Sequence, residues 1–219
     1  MSTNVAISTR LLVFVASLHL LLTGCSLKGT ESPDPQTGFL GDYSQLAPGR
    51  GDQAQFIYIN PRADFGPYQR VIIDPVVVWR QGASRFSDFP RAEVDALADS
   101  LAAAMRNRFA QEFDVVEAPG PGTMRIRIAL TGVTSSAADA KAVERVSIEV
   151  EVVDAQTNVR LVAAMDTRGE ASHSTDAAAE PTVDIQAAFL SFAGRASARL
   201  AAFRSFDARH TDGTDQPKP

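Results

Sequence analysis

A chain with one thiol and three imidazoles has few routes to covalent or metal chemistry, and spacing tests each of them. Cys25 is the only cysteine, and His19, His173 and His210 are the only histidines. A single cysteine cannot close an internal disulfide. Without a second it builds neither a CxxC redox pair nor a thiolate zinc site. It is left as a buried structural thiol, a nucleophile or a modified residue. No GxSxG stretch presents a serine nucleophile. His173 has Asp176 and Glu180 close behind it, and "HTDGTD" at 210–215 adds oxygen ligands. Neither spacing matches a zinc or EF-hand pattern, so both stretches read as solvated loop and tail, and no metal or cofactor is expected. "PGPG" at 119–122 is a turn and not a phosphate cradle, because its proline removes an amide donor and no helix follows. Asp74 lies inside the apolar run "VIIDPVVVW" and needs either a partner or a raised pKa. It is a general acid or ligand-binding group at a strand kink, or it accepts backbone N–H groups where Pro75 breaks the ladder. The structural role is the expectation.

The surroundings of Cys25 narrow its role. Arg10 and the amino terminus supply positive charge, and residues 11–22, "LLVFVASLHLLL", are apolar or nearly so. That run is too short to cross about 30 Å of hydrocarbon as a helix but suits the core of a secretion signal. Thr23 and Gly24 are small, so a peptidase can admit the chain there. Leu22-Thr23-Gly24-Cys25 resembles the lipobox of bacterial lipoproteins. The resemblance implies cleavage before Cys25, diacylation of its thiol and usually acylation of the new amino terminus. Each buried methylene adds about 0.8 kcal/mol and one chain binds only reversibly, so two or three chains hold a protein to its membrane. Ser26 stands where an Asp commonly marks retention in the inner membrane. Its presence resembles the outer-membrane pattern, with the domain facing the periplasm.

Composition supports a folded domain behind that anchor. Hydrophobic residues make up 45% of the chain, enough for a packed core. The formal charge of −5 becomes one unit more negative once Arg10 leaves with the signal. An acidic chain without a basic stripe is a poor nucleic-acid binder. Residues 1–24 read as signal, 25–37 as lipidated tether, 38–206 as the domain and 207–219 as a disordered tail. "GFLGDYSQL" at 38–46 is too apolar for a free linker and should pack on the domain.

Within the domain the periodicities alternate between two and 3.6. "QFIYI" at 55–59 is a short strand. Residues 68–79 hold a β-branched run that suits a central strand covered on both faces, with a bulge or edge at Pro75. Residues 91–113 place Val94, Leu97, Leu101, Met105, Phe109 and Phe113 on one helical face, and 183–204 repeat the pattern with Ile185, Phe189, Phe192, Ala196, Leu200 and Phe203. A short strand follows the first helix at 114–118. "MRIRIALTGV" at 124–133 and "RVSIEVEVVD" at 145–154 alternate strictly, which predicts an antiparallel sheet wet on one side, with Arg125 and Arg127 facing Glu149 and Glu151. "DAQTN" at 154–158 is a hairpin turn with Asn158 left-handed, and "VRLVAAM" returns as a strand. The predicted fold is α+β, a two-layer sandwich of mainly antiparallel sheet with two amphipathic helices on one face.

"TGFLGDYSQLAPG", "YQRVIIDPVVVW", "VVDAQTNVRLVAAMD" and a closing helix beginning "DIQAAF" together resemble an uncharacterised family of bacterial lipoproteins, domain of unknown function 3313. The resemblance covers residues 37–204. Its most specific pieces are Gly38-Phe39-Leu40 with Asp42-Tyr43-Ser44, and Ile73-Asp74-Pro75-Val76. Asn158 departs from the Gly usual there, and both residues tolerate the left-handed turn. The family implies a periplasm-facing lipoprotein and no assigned activity.

Trp79, Phe86 and Phe89 gather before the first helix, either capping the core or forming a partner-binding patch. With Asp74 they make up the candidate binding or structural site. Arg195, Arg199 and Arg204 on the closing helix read as a solvated face that favours its C-terminal end. These observations lead to a non-enzymatic, lipid-anchored module contacting another envelope protein. The alternative is an accessory lipoprotein holding a small apolar ligand or lipid between sheet and helices, which requires a cavity of a few hundred Å3.

Overall fold

The computed structural model describes residues 36–86, 89–135, 143–169 and 184–211, with side chains of the last helix followed to Asp207. Cys25, the signal, most of the expected tether, His173 with its loop, the side chain of His210 and the tail from 212 lie outside the described residues.

In chain order the elements are β1 (Ala47–Pro48), β2 (Phe56–Ile59), β3 (Arg70–Ile73), β4 (Val77–Val78), β5 (Arg85–Phe86) and α1 (Arg91–Phe109). They continue with β6 (Asp114–Val115), β7 (Thr123–Ser135), β8 (Val143–Asp154), β9 (Arg160–Gly169) and α2 (Ile185–Thr211). The sheet runs β1-β2-β9-β8-β7-β3-β6, with β4 and β5 also paired to β7.

The sheet is antiparallel from β1 through β2, β9 and β8 to β7, as the alternation predicts. Beside β7 the prediction needs correcting, because β3, β4 and β5 all run parallel to it and β6 runs parallel to β3. The physical reason is the connection. The chain leaves β5 through α1 and returns first as β6, parallel to β3, and then as β7 on the other side of β3, because a helical crossover brings the following strands back parallel.

The run around Pro75 is also less central than its composition suggests. Pairing with β7 stops after Ile73↔Ile126 and resumes at Val77↔Ala129. Asp74 N still donates to Ile126 O at 3.0 Å, so the ladder opens only where proline has no N–H to give. Val71, Ile72 and Ile73 are buried on both faces, whereas Val77 is 42% exposed.

Both helices cover one face of the sheet. Val94, Leu101, Met105 and Phe109 of α1 and Phe189, Phe192 and Leu200 of α2 share a core with Met124, Ile126, Ile128, Val146, Ile148 and Val150. The first helix ends at Phe109 rather than Phe113. Phe113 N still bonds to Phe109 O at 2.8 Å, and the two rings stack 5.8 Å apart, so residues 110–113 close the helix as a turn. The closing helix runs past the expected boundary at 204 and through the first part of the expected disordered tail, to Thr211. Asp207 Oδ2 accepts from Phe65 N at 2.7 Å, which ties this extension to the loop before β3.

The hairpin between β8 and β9 forms as its residues predict. Asn158 has φ 56°, and Asp154 Oδ1 accepts from the amides of Gln156 and Thr157. On the other face of the sheet the two-layer prediction needs an addition. Leu40, Tyr43 and Leu46 bury themselves against Phe56 and Ala163, forming a strap that adds a partial third layer.

Candidate functional site

The strap is held by polar groups that the alternation places correctly but whose environment it does not predict. Arg127 and Glu151 are cross-strand partners and form an ion pair at 3.1 Å. Arg125 instead pairs with Val153 in the ladder, and its side chain lies 3.9 Å from Asp74. Glu149 projects from the expected wet face yet is only 1% exposed, because the strap lies over it. Thr37 Oγ1 donates to Glu149 Oε1 at 2.8 Å and Tyr43 Oη donates to Oε2 at 2.7 Å. Tyr43 Oη accepts in turn from Gly38 N at 2.8 Å and Leu40 N at 3.3 Å. One buried carboxylate thus organises the start of the domain.

Three further contacts complete this clamp. Arg160 donates to Leu40 O at 2.6 Å and Asp42 O at 2.8 Å, while its Nε binds Glu151 Oε1 at 2.8 Å. Trp79 Nε1 donates to Thr37 O at 3.0 Å, and its ring meets Phe39 edge-on at 5.5 Å. Gly82, at φ +59°, lets the chain pass so close that a Cβ there would sit 2.3 Å from Thr37 O. Burial pushes the Glu149 carboxyl above its ordinary range, against the lowering effect of the Tyr43 and Thr37 hydrogen bonds. Burial likewise raises Tyr43, and Glu149 beside it adds to the rise.

Thr37 therefore belongs to the domain and not to the tether, since it is 6% exposed and bonded to Glu149. The four predicted site residues do not form one patch. Trp79 joins the strap, whereas Phe86 and Phe89 pack against the helix-side core, with the Arg80 guanidinium 4.4 Å above Phe86. Asp74 is about one-third exposed and faces Arg125. Glu149 and Arg160 are the residues sequence reasoning missed. The available signal was the apolar character of "GFLGDYSQL", which required a surface to cover.

Two cavities accompany this arrangement. Between α2 and the sheet an apolar space of about 80 Å3 is lined by Ile57, Val150, Val162, Phe192 and Leu200. It falls well short of the roughly 300–1,000 Å3 typical of ligand sites. On the opposite face a groove of about 410 Å3, lined by both polar and apolar side chains, lies beside the clamp, sharing Thr37 and Glu149 with it and extending past Ser147 and Thr167. Among the described residues no trio of His, Cys, Asp or Glu is placed to hold a metal ion, and no helix is long and apolar enough to cross a membrane.

An α+β domain whose entering chain is clamped to the free face of its sheet is the class that the fold and site define. The chain belongs to the family described as Protein of unknown function (DUF3313), whose model matches residues 35–196. That match begins just ahead of the strap and takes in both Tyr43 and Glu149. No curated protein matches the chain. Among solved structures, the PelC dodecamer from Paraburkholderia phytofirmans is similar at TM-score 0.42 and 14% identity, covering 66% of this chain and 94% of that one. Protein XCC0632 from Xanthomonas campestris gives 0.37 and 14%, covering 71% and 94%. Lipoprotein GNA1162 from Neisseria meningitidis gives 0.31 and 9%, covering 68% and 99%. Likenesses this distant say nothing about activity.

Proposed function

We propose that this protein is a lipid-anchored cell-envelope module, held to the outer membrane through acyl chains on Cys25. Its domain faces the periplasm and acts by binding another envelope component, not by catalysis. The observation that carries the reading is Leu22-Thr23-Gly24-Cys25 behind a twelve-residue apolar run, with Cys25 the only thiol in the chain. The clamp gives that anchor a mechanical consequence. Chain leaving Cys25 meets a fixed point at Thr37, and the residues between can span at most about 40 Å fully extended. That length bounds how far from the membrane surface the clamped end of the domain can stand.

The alternative, a lipid or other apolar ligand between sheet and helices, has too little room in the 80 Å3 cavity. The exposed surface left for a partner includes the uncovered sheet face and the broken edge at Val77. Cell fractionation tests the anchor. Cys25→Ser should leave the domain folded but free it from the outer membrane or stall its processing. Sedimentation with that membrane at the parental level and mass would contradict the proposal. In-cell crosslinking from the sheet face, followed by mass spectrometry, would identify the partner.

A further inference from the structure

The groove beside the clamp has its own chemistry, and ladder register shows how it is built. Arg85, Gly132, Ser147 and Thr167 form one row across β5, β7, β8 and β9. The next row on the same face is Thr134, Arg145 and Gly169. Strands stand about 4.8 Å apart, so the Arg85 and Arg145 side chains rise on either side of β7 within reach of a common point. Between them Gly132 contributes no side chain, which leaves an open floor. A Cβ at Gly132 would crowd this row, 3.1 Å from Arg85 O and 3.3 Å from Ser147 Cβ.

The two guanidinium groups here differ in their partners from four others on or beside the sheet. Arg127 and Arg160 are bound to Glu151, and Arg168 and Arg195 to Asp166. Among the described residues neither Arg85 nor Arg145 has a carboxylate partner. Thr134 Oγ1 is buried with no hydrogen-bond partner. The Ser147 and Thr167 hydroxyls share one hydrogen bond at 3.1 Å, in which one of them donates, so the other keeps its proton for a ligand. Two carboxylates also line the groove: Glu149, one row closer to the strap, already receives two hydroxyl donors, and Asp166 is paired with Arg168 and Arg195.

We propose that this groove binds a small soluble phosphate ester, with its oxyanion between Arg85 and Arg145 above Gly132. Guanidinium groups recognise phosphate by charge-assisted hydrogen bonds. The Thr134 hydroxyl and the free proton of the Ser147–Thr167 pair supply donors to the remaining phosphate oxygens and to hydroxyls of the ester. A volume of about 410 Å3 is on the scale of small-molecule sites, and the hydroxylated wall favours a soluble ligand over an acyl chain. The inference does not depend on the anchor: a protein released from the membrane would keep the groove.

Nuclear magnetic resonance titration of the full chain in detergent with inorganic phosphate, and then with glycerol 3-phosphate, tests this. The expected result is saturable shifts of the Gly132, Thr134, Ser147 and Thr167 amides, with glycerol 3-phosphate binding more tightly than phosphate and glycerol inert. Arg85→Ala with Arg145→Ala should weaken binding about tenfold or more, the loss of at least one charge-assisted contact. Arg62→Ala, away from the groove, should not. Thr134→Val serves where the arginine variants lose the fold. It removes a hydroxyl with no partner, so thermal stability should hold while phosphate affinity falls. No saturable shift with either probe would overturn the proposal, as would unchanged affinity in the double variant. Binding only to phosphatidylglycerol vesicles would also overturn it.

Discussion

Removing the Tyr43 hydroxyl is the sharpest perturbation of the clamp, because Tyr43→Phe keeps the ring and therefore the packing against Leu40, Leu46 and Phe56. The lost oxygen donates to Glu149 at 2.7 Å and accepts from two strap amides. A hydrogen bond to a charged group contributes about 1.5–3 kcal/mol, and a buried amide left without its partner adds about 1 kcal/mol. Gly38 is exposed and its amide can return to water, so only Leu40 carries that second penalty. The total is about 3 kcal/mol, which for a domain of this size lowers the melting temperature by about 6–12 °C. Trp79 is the only tryptophan and donates to Thr37 O, so its emission reports strap release directly. Urea unfolding followed at Trp79 should show a lower midpoint and an earlier shift of emission. Tyr58→Phe is the control, since that hydroxyl has no partner among the described contacts. A Tyr43→Phe curve that overlays both parent and control would refute the clamp.

Because the folded-state pKa of Glu149 is raised, the folded protein holds that proton to higher pH than the unfolded chain does. Its stabilising contribution is full below the unfolded carboxylate range and is lost as pH rises through the folded pKa. Glu149→Gln should therefore gain on the parent as pH rises through that interval, and parallel pH–stability curves would contradict this. Gly82→Ala should dislodge the strap and lower the Trp79-monitored midpoint, since its Cβ meets Thr37 O and its φ is left-handed; an unchanged emission spectrum would show the approach to be loose. Asp74→Asn should change stability by less than about 1 kcal/mol in thermal melts, as for an ion pair one-third exposed and 3.9 Å long.

Local periodicity made much of this fold legible. The stripes of α1 and α2, the alternation of β7 and β8 and the turn at Asn158 each depend on neighbours within a few residues. Two features did not follow from local pattern. The parallel alignment of β3 with β7 depends on a crossover more than forty residues long, which leaves no mark on either strand's own alternation. The burial of Glu149 depends on Tyr43 and Thr37, more than a hundred residues earlier. On β8 alone Glu149 is indistinguishable from Glu151, and only the strap separates a buried carboxylate from a solvated one. The aromatic cluster failed for a similar reason. Trp79 and Phe86 are near in sequence but pack on opposite faces of the sheet.

Intact-mass spectrometry of the protein extracted from outer-membrane fractions tests the central claim most directly. The expected species is a chain beginning at Cys25 and carrying two or three acyl chains, with the added mass lost in Cys25→Ser. A chain that retains residues 1–24, or one with an unmodified Cys25, would contradict it.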